Sequence, residues 1–443
     1  MTQNNQETSE LTEKIRQQFD FLPYPECDLE KSPKDDLEQL FVHSLVTPYY
    51  LRYQKVINTE DKVILDAGCG SGVKALALAA ANPGAKIVGV DISEKSVELA
   101  RQRLTHHGIN NAEFHVLSLE NIEEIEYKFD YINCDEVFYL LPDPCLVLQK
   151  FQSLLKPQGI IRGNLHSYYQ RINVFRTQKL FKLVGLFDES QDFAIEVVKD
   201  TMESLKDNVD IKVRTWRNDP NSTKIQSILS NHLLQGDKGY TVEDLFNFLN
   251  LANLDFLSML KWRHWELLDL FKEPENLPAF WELGLAEASE EEKLHLFELF
   301  HPIHRLLDFW AVQKDNHPQP IPPLNWEKEQ WLNCLVHLHP LLRNNRVKED
   351  LQKSIANRQP FEISKYIKLP TSKSILLEST IASCLLPLWE QPQPFTALLG
   401  RWLQIQPLNV DTLEHKTDSQ AFEEIRKLLT ELEVFTYILL ELS

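Results

Sequence analysis

Between Val63 and Leu165 short apolar runs alternate with stretches whose apolar side chains recur at helical spacing. VILDA leads into VKALALAAA and KIVGVD into SVELARQRL; AEFHVL, FDYINC and GIIRGNL follow at similar intervals. Continuous β-branched runs belong to strands buried on both faces, and the helices between them make the crossovers of a parallel sheet. Farther on, Tyr240–Leu260 sets Leu245, Phe246, Leu249 and Leu251 on a helix and predicts a strand over Asp255–Leu260 that completes the same sheet. The helical stretch Tyr168–Asp237 is then an insertion after the fifth strand, above the carboxyl edge where open α/β sheets bind ligands. An insertion there is a natural substrate lid.

Residues 261–312 are helical in pattern and rich in Trp and Leu, and the connector His317–Pro323 (HPQPIPP) is expected to be extended. This divides the chain into an α/β domain over 1–265, a helical region with connector over 266–323, and an accessory module over 324–443. The module has apolar helical patterns near Ile375–Leu386, Phe395–Leu403 and Phe422–Leu432 and a β-like run at Phe435–Leu440, which suits a winged-helix-like fold. Composition follows the same division. Eight of the 13 glycines lie between Gly68 and Gly163, whereas all nine tryptophans come at or after Trp216.

Charge narrows the choice of partners. With 46 Lys+Arg against 65 Asp+Glu the formal charge is −19, a field that opposes phosphate backbones, and residues 371–443 hold five basic against ten acidic side chains. Nucleic acid is disfavoured as a partner, and the C-terminal module is expected to dock protein instead. The six cysteines form no Cys-x-x-Cys pair, no stretch is apolar enough to span a membrane, and the N-terminal residues do not read as a secretory leader. A soluble cytoplasmic protein is expected. His295, His301 and His304 lack an acidic or thiol ligand at a recognised spacing, so no metal is expected.

The segment Val63–Gly72, VILDAGCGSG, carries the chemistry: a strand runs into Asp66 and then into glycines at 68, 70 and 72. Glycine lets the backbone approach a ligand closely. Nineteen residues past Gly72 a second strand ends in Asp91, whose carboxylate can accept both hydroxyls of a ribose. Val73 stands where a dinucleotide fingerprint has its third glycine, and no P-loop lysine follows, so neither a pyrophosphate nor a nucleoside triphosphate is favoured. An adenosine carrying an amino-acid tail fits.

These residues resemble the class I S-adenosylmethionine-dependent methyltransferases, whose glycine loop matches Asp66-Ala67-Gly68-Cys69-Gly70-Ser71-Gly72 and whose ribose-binding acid matches Asp91. Phe129–Pro144 (FDYINCDEVFYLLPDP) resembles the family's fourth-strand motif and Leu154–Gly159 (LLKPQG) the turn before its fifth strand. The leading segment Ile15–Pro25 is similar to that of bacterial members with helical extensions. The resemblance implies a Rossmann-like seven-stranded sheet with S-adenosylmethionine as cofactor. It assigns cofactor contacts to Asp66, Gly68, Cys69, Gly70, Gly72, Asp91, Ile92, Ser118, Leu119 and Cys134, with Asp66 positioning the amino group. Where many relatives hold the adenine amino group with Asp after the third strand, this chain has Ser118, with Glu120 nearby; Cys69 reads as a small filler.

Methyl transfer is an in-line displacement at a sulfonium, which needs alignment and desolvation more than a strong acid. A base is required only if the acceptor nucleophile carries a proton. Glu136 and Tyr139 after the fourth strand and His166 after the fifth are the candidate catalytic residues, and Tyr168 reads as lid packing. The sequence does not spell the acceptor, a small molecule or a protein side chain. A cofactor-binding scaffold and an aminopropyl transferase on the same fold are the competing readings.

Overall fold

A computed structural model describes residues 3–217, 219–221, 223–314, 318–371 and 373–442. Seven strands form one sheet: β1 (Val63–Ala67), β2 (Lys86–Asp91), β3 (Ala112–Val116), β4 (Phe129–Cys134), β5 (Leu155–His166), β6 (Leu254–Met259) and β7 (Leu306–Gln313), in the order β3-β2-β1-β4-β5-β7-β6. The first five run parallel, and β7 is antiparallel to both β5 and β6. The chain reverses its strand order beside β1, so β1 and β4 diverge at the carboxyl edge and leave a crevice there.

The expectation of helices throughout 261–312 is corrected by β7. Helices do form at Ala279–Glu287 and Glu290–Phe300, but LLDFWAVQ then enters the sheet between β5 and β6. Trp310 lies fully buried in that strand and donates from its indole nitrogen to the Tyr131 hydroxyl at 3.3 Å. A run apolar on both faces has no helical period of its own, and the vacancy between two strands decides its conformation. The seven-stranded sheet therefore extends to Gln313, past the division expected at 265.

Helices cover both faces of the sheet. On one side α4 (Val73–Ala81) and α5 (Glu94–His106) bury Leu76, Leu78, Val97 and Leu104 with Val42 of α2 (Leu37–His43) and Tyr49 and Tyr53 of α3 (Val46–Tyr53). On the other, α6 (Pro144–Leu154) and the helix Val242–Leu251 bury Val147, Leu148, Phe151, Leu245 and Leu249. Starts are set locally: Ser93 caps α5, and Asp143 caps α6 with Pro144 at its first turn. The insertion after β5 folds as α7 (Tyr168–Leu183), α8 (Gln191–Ser204) and shorter turns around a small core of Phe181, Ile195, Val198, Met202, Trp216 and Ile228. Helix α1 (Gln3–Phe21) is tied to it by Gln18, whose side-chain amide donates to the carbonyls of Leu229 and Leu233.

Pro318–Pro322 takes no regular structure; His317 of the connector lies outside the described residues. The C-terminal module has a core of its own, including Trp331, Leu351, Leu388, Phe395, Ile425 and Leu440. Its helices at Asn345–Ala356, Ser379–Leu385, Phe395–Ile405 and Asp418–Glu433 accompany a three-stranded antiparallel sheet of Cys334–Leu338, Gln393–Pro394 and Ile438–Leu442. The module meets the α/β domain where the Thr47 hydroxyl pairs with His339 at 3.1 Å and the Tyr50 hydroxyl donates to Glu433 at 2.8 Å. Among the described residues no helix is long and apolar enough to cross a membrane.

Candidate active site

At the end of β1 the backbone turns sharply, with φ of +77° at Gly68, +50° at Gly70 and +80° at Gly72. A Cβ on Gly70 would fall 2.2 Å from the Tyr24 carbonyl oxygen, and one on Gly72 would fall 2.6 Å from Cα of Ala100. Left-handed backbone and missing volume are thus needed together. Asp91, at the end of β2, fixes the loop: one carboxylate oxygen accepts the Gly70 amide at 2.9 Å and the other the Ser93 amide at 2.9 Å. Each oxygen keeps a further lone pair for a ligand hydroxyl.

A cleft with about 780 Å³ of empty space lies over this loop. Its wall comprises Gly68, Gly70, Asp91, Ile92, Ser118, Leu119 and Glu120 from the ends of β1–β3, and Asp135, Glu136 and Val137 from the end of β4. Thr12, Ile15 and Phe19 of α1, with Tyr24, form the roof. Six of the ten residues expected to hold the cofactor therefore line one cleft: Gly68, Gly70, Asp91, Ile92, Ser118 and Leu119. Gly72 starts α4 against α5, while Asp66, Cys69 and Cys134 are buried behind the loop. Burial raises both thiols well above the ordinary range, in keeping with a filler role for Cys69.

Asp66 accepts a hydrogen bond from the Asn133 amide at 2.9 Å, and its second oxygen is buried without a partner. Burial pushes its carboxyl up to about 7, against the opposing Asn133 bond. Native Asp66 thus holds its proton where the unfolded chain has released it. Its contribution to stability is full below pH 4 and is lost as pH rises to 7, a window worth ~4 kcal/mol. In urea titrations at a series of pH values, wild type is expected to lose stability relative to Asp66→Asn between pH 4 and 7, with a constant difference above pH 8. A difference that stays constant from pH 4 to 8 would refute a raised Asp66.

Beside Asp91, Glu120 and Glu136 the cleft is lined by a further acid, Asp135, which sequence reasoning passed over. It pairs with Lys74 from the first turn of α4, accepts from the Asn164 amide at 2.6 Å, and lies 3.3 Å from the Arg162 guanidinium. Burial alone would raise Asp135, but Arg162, Lys74 and His43 outweigh it and hold the carboxyl well below its usual range. Arg162, fully buried on β5, also donates to Asp308 of β7 at 2.8 Å and 3.1 Å.

Glu136 turns the chain out of β4 in the left-handed region, φ +68°, with its amide donating to the Asn164 side chain at 2.8 Å. Its carboxylate accepts from Tyr139 at 2.6 Å and from both terminal nitrogens of Arg305, one at 3.0 Å. Although burial raises Glu136, Arg305 brings it below the ordinary value.

A second cavity adjoins the first, the two sharing Phe19, Tyr24, Glu136 and Leu140. Tyr139, His166, Ser230, Asn231, Leu234 and Arg305 complete its lining. All three candidate catalytic residues meet here, with the Tyr139 ring stacked on His166 at 3.5 Å. His166 Nδ1 lies 2.6 Å from an oxygen of Asp237, a residue at the end of the insertion. Asp237 also accepts from Gln178 at 2.8 Å and Arg171 at 3.2 Å. Tyr168 stacks on Phe175 instead, within the insertion. Farther off, His304 stacks on Trp265 at 4.5 Å, and His295 pairs with Glu298.

Residues 58–244 match the family described as "Methyltransferase domain". Over those residues the chain carries a methyltransferase domain. A ubiquinone biosynthesis O-methyltransferase of Actinobacillus pleuropneumoniae is 32% identical over 147 residues, 32% of this chain and 58% of that one. An uncharacterized Synechococcus protein is 25% identical over 284 residues, 63% of this chain and 64% of its own. The chain thus spans less than two thirds of the length of these relatives. PKMT2 from Rickettsia typhi, solved in complex with AdoHcy, superposes with a TM-score of 0.56 over 90% of this chain and 75% of that one at 17% identity. That likeness is one of fold, and it takes in the C-terminal module as well as the methyltransferase domain.

Proposed function

We propose that the protein transfers a methyl group from S-adenosylmethionine in the glycine-loop cleft to a small-molecule or protein nucleophile in the adjoining cavity. The observation that carries this reading is the junction of the two cavities at Glu136, with the cofactor contacts of the methyltransferase domain on one side and ionisable side chains on the other. Gly68 and Gly70 leave room for the backbone to approach the amino-acid tail, Asp91 offers its free lone pairs to the ribose, and Ile92 and Leu119 give the base an apolar bed. The cofactor supplies an electrophilic methyl carbon; the chain aligns the two reactants and excludes water. Oxygen acceptors among the curated relatives support a hydroxyl nucleophile here.

The Lys74–Asp135 pair suits a zwitterionic tail better than Asp66 does: the carboxylate meets the Lys74 ammonium and the amino group meets Asp135. A carboxylate partner at that end also favours S-adenosylmethionine over the decarboxylated cofactor of an aminopropyl transferase. Lys74→Met is expected to weaken S-adenosylhomocysteine binding about tenfold, the worth of one charge-assisted hydrogen bond, and to leave adenosine binding unchanged in calorimetry. Equal loss for both ligands would remove Lys74 from the tail site.

Turnover is tested by incubating the protein with methyl-labelled cofactor and cell extract. A labelled product supports the enzyme. Binding of S-adenosylmethionine with no labelled product of any class favours a scaffold, and preference for NAD rejects the cofactor assignment.

A further inference from the structure

The hydrogen bonds around His166 fix its proton. An arginine side chain has only donors, so the guanidinium nitrogen of Arg305 lying 3.0 Å from His166 Nε2 makes that nitrogen an acceptor. The ring proton is therefore on Nδ1, donated to Asp237 at 2.6 Å. Asp237 is held in turn by Arg171 and Gln178 of α7. The remaining charged and titratable groups around the ring are Glu136, 3.8 Å from Nε2, and the stacked Tyr139.

Glu136 accepts from Tyr139 and Arg305, so its oxygens are already occupied, and burial pushes His166 down to about 4, so its ring is neutral at pH 7 with one nitrogen able to accept. The bare nitrogen in the acceptor cavity is Nε2. Arg305, across it, has a side chain 44% exposed and so has room to swing into solvent.

Resting on the methyltransferase reading, we propose that His166 is the general base, that Asp237 positions it, and that the acceptor is an aromatic hydroxyl compound that displaces Arg305 from Nε2. The O–H bond breaks and its proton passes to Nε2, the oxygen–methyl bond forms, and the methyl–sulfur electron pair stays on sulfur. The positive charge lost at sulfur reappears on the imidazolium between Asp237 and Glu136, so the site keeps its net charge through the reaction. One feature selects the acceptor: Phe19, Tyr24 and Tyr139 give the cavity aromatic lining suited to a ring.

The first measurement needs no cofactor. Nitrogen-15 NMR of the full-length protein labelled on histidine, with His166 assigned by its loss in His166→Gln, is expected to show a protonated Nδ1 and a bare Nε2 at pH 7. Asp237→Asn is expected to mix the two tautomers. A wild-type ring protonated on Nε2, or one unmoved by Asp237→Asn, overturns the dyad.

The second measurement offers catechol and the methylamide of Nα-acetyl-lysine as acceptors, with S-adenosylhomocysteine calorimetry on every variant. Methylated catechol whose formation falls about 10²- to 10⁴-fold in His166→Gln, at unchanged S-adenosylhomocysteine affinity, supports the proposal. Lysine product, catechol turnover indifferent to His166→Gln, or no catechol product from protein that binds S-adenosylhomocysteine overturns it. Failure to bind S-adenosylhomocysteine would instead defeat the methyltransferase reading itself.

Discussion

Arg162→Ala is expected to cost the fold about 3–5 kcal/mol, the usual result of leaving buried charges without their partner. Arg162 is fully buried and stands between two carboxylates, Asp135 after β4 and Asp308 on β7, while a third nitrogen donates to the Asn133 side chain at 2.9 Å. With the guanidinium gone, Asp308 keeps no ion pair among the described residues, whereas Asp135 keeps Lys74. The loss concerns unpaired charge more than missing volume, so Arg162→Met combined with Asp308→Asn should recover most of it. Urea unfolding of the three proteins tests this; a cost under about 1 kcal/mol for Arg162→Ala, or no recovery in the double variant, contradicts the account. Arg162 also supports Asp135 at the cofactor cleft, so the alanine variant should bind S-adenosylhomocysteine more weakly even where it remains folded.

Sequence periodicity reached the parts of the molecule whose conformation is decided locally. β1 and β2 are β-branched runs and β4 an aromatic-rich one, each ending in an acidic or glycine turn, and the positive φ values of the glycine loop are what those glycines are for. Asp91 and the loop it fixes were legible for the same reason, since a contact between consecutive strand ends has a fixed spacing along the chain. β7 was not legible. LLDFWAVQ is buried on both faces, and only the gap between β5 and β6 makes it a strand. The error carried over to the site, because Arg305 immediately precedes β7 and its place beside Glu136 and His166 depends on that strand pairing with β5. Asp237 escaped for a related reason: its partner His166 is 71 residues away, and no local signal joins a strand end to the far end of an insertion. Asp66 shows the reverse case. The motif placed it at the cofactor, whereas the strand buries its side chain against Asn133 and leaves Asp135, one strand over, to face the cleft.

Asp91→Ala is expected to reduce S-adenosylhomocysteine affinity by about 100-fold or more, the combined worth of two charge-assisted hydrogen bonds to the ribose hydroxyls. Part of that loss would come from the loop itself, because Asp91 also accepts the Gly70 and Ser93 amides, at 2.9 Å each. Asp91→Asn separates the two contributions. Its remaining carbonyl oxygen can accept one of the amides, but the amide nitrogen that replaces the other oxygen faces a second N–H donor and offers the ribose no acceptor. The asparagine variant should therefore bind nearly as weakly as the alanine variant while retaining more of the wild-type melting temperature. The pH dependence of binding carries a matching signature. Burial raises the Asp91 carboxyl above its ordinary value, against the Ser93 and Gly70 amides that lower it, so affinity should fall as pH drops through that raised value and the carboxylate takes up a proton. In Asp91→Asn this acid limb should be gone. Calorimetry of the three proteins between pH 5 and 8 measures both effects, and wild-type affinity in either variant would remove Asp91 from the cofactor site.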